Sequence, residues 1–357
     1  MYKLEFTLKQ HTPLIHFQHD QDGATLRASE VKPKLDKFIY NKWLQEENGN
    51  KEEVFKKYRH LTVGYTKDEF KKEVEAFKRL NPAEKTSFLE NFKWALNYKM
   101  RIECNNPINI NLPIKKVEKD GIVQVDEIGR VLFTTSNYPD NTNSLIMGNM
   151  GGRIEENVLN FVLFINTNIN IISTSNALID KIKDTIPSFF VENNFGNRTS
   201  KGFGSYTVDR INGEECENDF MGDWILSFSI RAKDDNSINS NKAYKDIFVA
   251  INKIWKGLKR YGKSNKDGLK SVFLGRHNKL TSNEERIPSP LIFKLIIESK
   301  SNNEWDVLIL VILNQNRINK AGADIEDFYD LIDNAIDDFN LDKEYNNNYT
   351  ISNITIK

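Results

Sequence analysis

At 357 residues the chain is long enough for two domains of roughly 100–200 residues each. With 39% apolar and 28% charged residues it is neither disordered nor collagen-like. Lys plus Arg and Asp plus Glu balance at 50 each, which excludes a uniformly basic nucleic-acid binder and means that any anionic partner must meet a local patch.

No apolar run reaches the ~20 residues of a membrane-spanning helix, and the opening MYKLEFTLKQ lacks the apolar centre of a secretory signal. A cytoplasmic protein with no membrane partner is expected. Cys104 and Cys216 sit in no CxxC motif or Cys/His cluster, so neither a disulfide framework nor a structural metal is expected, and no cofactor is implied.

In chain order, segment 2–9 alternates as a half-buried strand. From about Lys32 to Tyr98 the pattern is helical. Leu35, Phe38, Ile39 and Trp43 share one stripe, and amphipathic pieces follow at Glu52–His60, Lys67–Leu80 and Ala83–Leu96, punctuated by Gly64 and Asn81-Pro82. Pro33 is placed in a first helical turn, where proline is tolerated. Strands are predicted at Lys99–Cys104, Ile122–Ile128, Arg130–Thr135 and Val158–Ile165. A helix follows at Asn176–Ile186, stopped by Pro187, and then a strand at Gly202–Ile211.

The order strand, helix, strands, helix, strand is the split βαβ plan. A second copy follows: strand Asp223–Ile230, helix Ala243–Tyr261, strands Leu291–Ile297 and Trp305–Leu313, helix Asp324–Phe339 and strand Tyr349–Ile356. The predicted class is α+β, with two tandem ferredoxin-like domains. Residues 1–215 form the first, with a helical insertion at about 40–98, and 216–357 the second, joined near Asn212–Gly222.

Charge is uneven along the chain. Lys253 to Lys279 carries nine Lys/Arg against one acid, Asp267, with Trp255, Tyr261 and Phe273 interleaved, whereas Asp324 to Glu344 is strongly acidic. The acidic stretch reads as a solvated helical face. The basic one fits either such a face or a binding surface.

The richest segment is Asn193–Tyr206, NNFGNRTSKGFGSY, in which Gly196, Gly202 and Gly204 accompany Arg198, Lys201, Thr199 and Ser200. Glycines permit left-handed backbone and let main-chain N–H groups converge on an anionic oxygen, with the two cations supplying charge. It is no Walker A loop: GxxxxGK[ST] is absent, and a strand follows rather than a helix. The alternative is a plain structural connection.

FGNRTSKGFGSY resembles the glycine-rich loop of the RAMP superfamily, the ferredoxin-like RNA-binding proteins of CRISPR–Cas systems. HTPLIHFQHDQDGATLRASEVKPKLDKFI is similar to the family pattern of a first strand ending in TPL, an acidic glycine-containing link and LRxSxLKG opening the first helix. RIPSPLIFKLI, Arg286–Ile296, resembles the RxxSPL strand of the first RAMP subunit of Cmr-type, type III effector complexes. Where the family has Lys-Gly and then Arg, this chain has Lys32, Pro33 and Asp36.

The resemblance implies an RNA-binding subunit in antiviral defence, with CRISPR RNA or target RNA and other type III effector subunits as partners. Arg198, Lys201 and the backbone of Gly202–Gly204 are the first-rank phosphate candidates, with Phe203 either stacking or packing beneath the loop. Arg27 and Lys32 near the first helix form a second rank, although Arg27 equally suits an ion pair with Asp22 or Glu30. Lys259, Arg260, Lys263 and Arg276 would extend the track.

Some RAMP proteins cut RNA. As the alternative activity, an endoribonuclease, this implies His11 or His16 as base, or Asp20 or Asp22 in the loop after the first strand. His11, His16 and His19 with Asp20 and Asp22 also raise a metal site, but their spacing sets no ligand geometry and a solvated loop is the expectation. A third possibility is a protein-docking module that holds no RNA.

Overall fold

In a computed structural model the described residues are 1–15, 24–64, 67–92, 94–113, short paired pieces between 115 and 155, 158–197, 199–220, 224–232, 291–301, 304–313 and 349–356. Strand β1 (Tyr2–Gln10) buries Leu4, Phe6, Leu8 and Gln10 and exposes Lys3, Glu5 and Lys9, as its period of two requires. Helix α1 (Ala28–Glu46) buries Val31, Leu35, Ile39 and Trp43 on one stripe.

The insertion consists of α2 (Lys51–Tyr58), α3 (Lys67–Lys78) and α4 (Pro82–Asn91). Asn50 caps α2 through the Glu52 and Glu53 amides, and Asn81 with Glu84 forms a capping box on α4. Phe55, Phe77, Phe88 and Phe92 make its own aromatic core, tied to α1 by Trp43 stacked on Tyr58 at 4.3 Å.

Strands β2 (Tyr98–Pro113) and β3 (Val158–Ser173) pair antiparallel along 16 residues each, followed by α5 (Asn176–Glu192) and β4 (Tyr206–Ile211). The first sheet runs β4-β1-β3-β2, and Glu214–Glu215 pairs outside β4. All its pairings are antiparallel, with Leu4 opposite Ile171 and Phe6 opposite Ile169. Helices α1 and α5 cover one face, and Phe6, Phe189, Phe190 and Phe195 lie at the centre of that core.

In the second half the strands are β5 (Trp224–Ala232), β6 (Leu291–Ser301), β7 (Glu304–Leu313) and β8 (Tyr349–Ile356), in the order β6-β7-β5-β8. Within each half the spatial order is therefore fourth, first, third, second in the first sheet, and the mirrored neighbours of β5 in the second are its third and fourth strands likewise. The helices expected at 243–261 and 324–339 lie outside the described residues.

Helix α1 begins at Ala28, so Pro33 stands in its second turn rather than its first, and Arg27 caps it without a side-chain bond. Pro187 does not end α5. The helix runs on to Glu192 because Phe189, Phe190 and Val191 are buried, and that burial outweighs the missing N–H. Strands β2 and β3 reach well past Cys104 and Ile165, β4 starts at Tyr206 rather than Gly202, and the predicted strands at 122–128 and 130–135 are described only as Ile122–Val123 and Phe133–Thr134.

Candidate nucleic-acid interface

The glycine segment joins α5 to β4. It closes on itself through an antiparallel bridge between Asn194 and Ser205, and Phe195 N–H donates to the Gly204 carbonyl at 2.9 Å. Gly204 has φ +67°, and a Cβ there would lie 1.9 Å from the Phe195 carbonyl oxygen; Gly202 has φ +84° with Leu295 directly behind it. Close approach in left-handed backbone is what glycine supplies here.

Several amides of the segment are engaged by protein acceptors. Gly196 N–H donates to Glu30, Asn197 to the Ile15 carbonyl, Gly202 to Thr199, Gly204 to Pro13 and Ser205 to the Thr12 hydroxyl. The expected cradle of free amides at Gly202–Gly204 is therefore corrected: the Gly202 and Gly204 donors already have protein acceptors, and both glycines are buried. Phe203, at 1% exposure, is packed beneath the loop rather than presented to solvent.

His11 to Ile15 runs alongside the segment. His11 N–H donates to the Ser205 carbonyl and Thr12 Oγ1 to the Gly202 carbonyl at 2.6 Å. On the other side lies the outer margin of β6, where three alternate residues are held by side chains. Asn194 Nδ2 donates to Phe293 O at 2.7 Å, Ser205 Oγ to Leu295 O at 2.5 Å, and the His11 ring meets Ile297 at 3.1 Å. Three stretches far apart in the chain, HTPL, NNFGNRTSKGFGS and LIFKLI, thus form one buried junction.

Lys294 completes it. The side chain is fully buried, and Nζ donates to the carbonyls of Phe190, Asn193 and Tyr206 at 2.6, 3.1 and 2.7 Å. Burial pushes its pKa well below the usual lysine value. Two of its acceptors belong to the end of α5, where helix carbonyls lack N–H partners of their own.

His11 is corrected as a candidate base. It is 1% exposed, and either neutral tautomer satisfies both ring nitrogens: Nε2 pairs with Thr207 Oγ1 at 2.7 Å, and Nδ1 either accepts the Ile297 N–H or donates to the Ile297 carbonyl, each at 3.1 Å. Burial pushes its pKa down to about 3. The unfolded chain therefore binds a proton that the folded one refuses between pH 6.5 and about 3. Stability from this residue is complete above pH 6.5 and is lost as pH falls, at up to roughly 1.4 kcal/mol per pH unit. Urea midpoints between pH 7.5 and 5 should show that slope, and His11→Gln should flatten it.

Lys32 is corrected as well. Its Nζ donates to Asp36 at 2.8 Å and to the Leu96 carbonyl at 3.0 Å and lies 4.0 Å over the Tyr98 ring. Asp36, raised in pKa by burial and held down by Lys32, also accepts the Leu96 N–H. The reversed charge at position 36 thus makes an internal pair that fastens the end of the insertion to α1 and occupies the Lys32 ammonium.

Arg27 is exposed at the head of α1. Lys34, absent from the candidates that the sequence suggests, lies beside the segment. Its Nζ is 3.1 Å from Glu30, 3.4 Å from the Asn194 carbonyl and 4.8 Å over the Phe195 ring. The signal is its spacing: seven residues after Arg27 and four after Glu30, it falls on the same helix face.

Arg198, His16, Asp20, Asp22, Lys259, Arg260, Lys263 and Arg276 lie outside the described residues, as does the side chain of Lys201, whose backbone closes a 3-10 turn from Thr199. Among the described residues no group of three or more His, Cys, Asp or Glu could hold a metal ion, and no helix is long and apolar enough to cross a membrane.

The family model described as the Cmr1 N-terminal domain matches residues 1–260. No curated protein matches the chain. Among solved structures it is similar to Cmr1 from Pyrococcus furiosus in its apo form, at 11% identity over 88% of each chain with a TM-score of 0.34. It is also similar to a chain of the type III-B Cmr-beta complex bound to cognate target RNA and AMPPnP in the presence of single-stranded DNA, at 12% identity over 94% of this chain and 99% of that one, TM-score 0.39.

Proposed function

Because the chain belongs to the Cmr1 N-terminal domain family, a family of Cmr-type RAMP proteins, we propose that it is an RNA-binding subunit of a type III CRISPR effector. Its partners are CRISPR RNA or target RNA and the other effector subunits, in the cytoplasm, in antiviral defence. The family match over residues 1–260 is the observation that carries this reading. The two sheets are read as tandem ferredoxin-like units, 1–215 with its insertion and 216–357, and the central pairing of first with third strand in both supports that division.

With the Gly196, Asn197, Gly202, Gly204 and Ser205 amides engaged by protein, the grip on RNA is one of side-chain charge. Arg198 and Lys201 contact phosphates first, then Arg27 and Lys34, with Lys259, Arg260, Lys263 and Arg276 extending the track. Such contacts position a strand without reading bases, so sequence recognition belongs to pairing between guide and target. The protein is a binder rather than a nuclease, and the sealing of His11 removes one of the bases that cleavage would have used.

Replacing Arg198 and Lys201 together with Ala should weaken RNA binding and reduce the dependence of log affinity on log salt by about 0.7 for each phosphate no longer neutralised. Filter binding across a salt series measures both. Unchanged affinity and slope would remove the assignment.

A further inference from the structure

At the first glycine of the segment a carboxylate holds the place an anionic ligand would want. Glu30, in the first turn of α1, accepts the Gly196 N–H at 2.6 Å and the Lys34 ammonium at 3.1 Å, both through Oε1. Among the described residues its other oxygen, Oε2, is buried without a hydrogen-bond partner. A main-chain N–H together with an ammonium is the donor pair that one phosphate oxygen takes. Loop fastening alone needs only a neutral acceptor, and a carboxylate with one buried, unpartnered oxygen costs desolvation that fastening does not call for.

We propose that Glu30 is an internal anion that limits the affinity of this face for RNA: it fills the Gly196 amide and neutralises Lys34, so a phosphate there is held more weakly. This rests on the RNA-binding reading above. It gives the face a built-in competitor, so contact with RNA is graded rather than maximal, as suits a surface that positions a strand without reading it.

Glu30→Gln keeps an oxygen acceptor for Gly196 and removes the charge. In the full-length chain, with a single-stranded RNA followed by fluorescence anisotropy at low salt, it should tighten binding roughly three- to tenfold, and the gain should shrink as salt screens the contact. Lys34→Met, which leaves the Glu30 charge uncompensated, should weaken binding by roughly threefold or more. Should Glu30→Gln lower the unfolding midpoint, it is compared with the wild type at a temperature where both are fully folded, and the same gain is expected. Unchanged or weaker binding by folded Glu30→Gln, or unchanged binding by Lys34→Met, overturns the proposal. If the Arg198/Lys201 double variant still loses affinity in that case, RNA binding itself stands; if wild type and Glu30→Gln alike fail to bind, both ideas fall.

Discussion

Lys294→Met should destabilise the protein by about 3 kcal/mol, enough to lower the urea midpoint well outside experimental error. Two effects oppose each other. Removing a fully buried ammonium relieves its desolvation, the same effect that holds its pKa down. Against that, the carbonyls of Phe190, Asn193 and Tyr206 lose a donor at once, and each orphaned acceptor in a dry interior costs roughly 1–3 kcal/mol. Three acceptors outweigh one relieved charge, and methionine fills the volume without meeting them. Because Lys294 reaches from β6 to the end of α5, the substitution should also split unfolding into two transitions, seen as non-coincident near-UV and far-UV curves. A midpoint unmoved by the substitution would mean that water replaces the ammonium and that the junction is looser than its distances imply.

Gly204→Ala should be of similar size, about 3–5 kcal/mol, against about 1 kcal/mol for Gly213→Ala. Both glycines are left-handed, at φ +67° and +88°. At Gly213 nothing lies within 4 Å of an added Cβ, whereas at Gly204 the Phe195 carbonyl oxygen stands at 1.9 Å. Relieving a clash between two stretches of main chain means opening the bridge of Asn194 with Ser205 and the Gly204 N–H bond to Pro13. The pair of variants separates backbone strain, common to both, from steric overlap, which only Gly204 has. Equal midpoints in thermal unfolding would contradict the packing described for the segment. A stability loss of this kind also distinguishes a glycine that builds the fold from one that only binds a ligand.

Much of the first sheet is legible in the sequence because it rests on local periodicity. The alternation in β1, the stripe on α1 and the capped helices of the insertion need no distant partner to be read. Boundaries fail where tertiary burial overrides a local stop signal. Pro187 looks like a terminator until Phe189, Phe190 and Val191 are seen in the core, and the strand predicted over Lys99–Cys104 runs on to Pro113 because β3 pairs with it that far.

The site is half legible. The three resembling stretches are recognisable one by one, but nothing in their spacing says that they meet in one junction. A glycine whose N–H serves an RNA and one whose N–H serves Pro13 are the same letter. The lysine within LIFKLI reads as one more cation, although a single charge flanked on both sides by apolar residues in a strand is itself a sign of burial against carbonyl oxygens. Glu30 and Lys34 need only helix geometry, and Lys32 with Asp36, four apart, is likewise a pairable couple.

The margin of β6 has a consequence for self-association. An unpaired strand border invites a foreign chain to add itself by backbone pairing, the usual seed of runaway aggregation. Here the outward carbonyls of Phe293 and Leu295 already accept from Asn194 and Ser205, and Ile297 is met by the His11 ring, so side chains from the other half of the same polypeptide lie along the border where an intruder would pair.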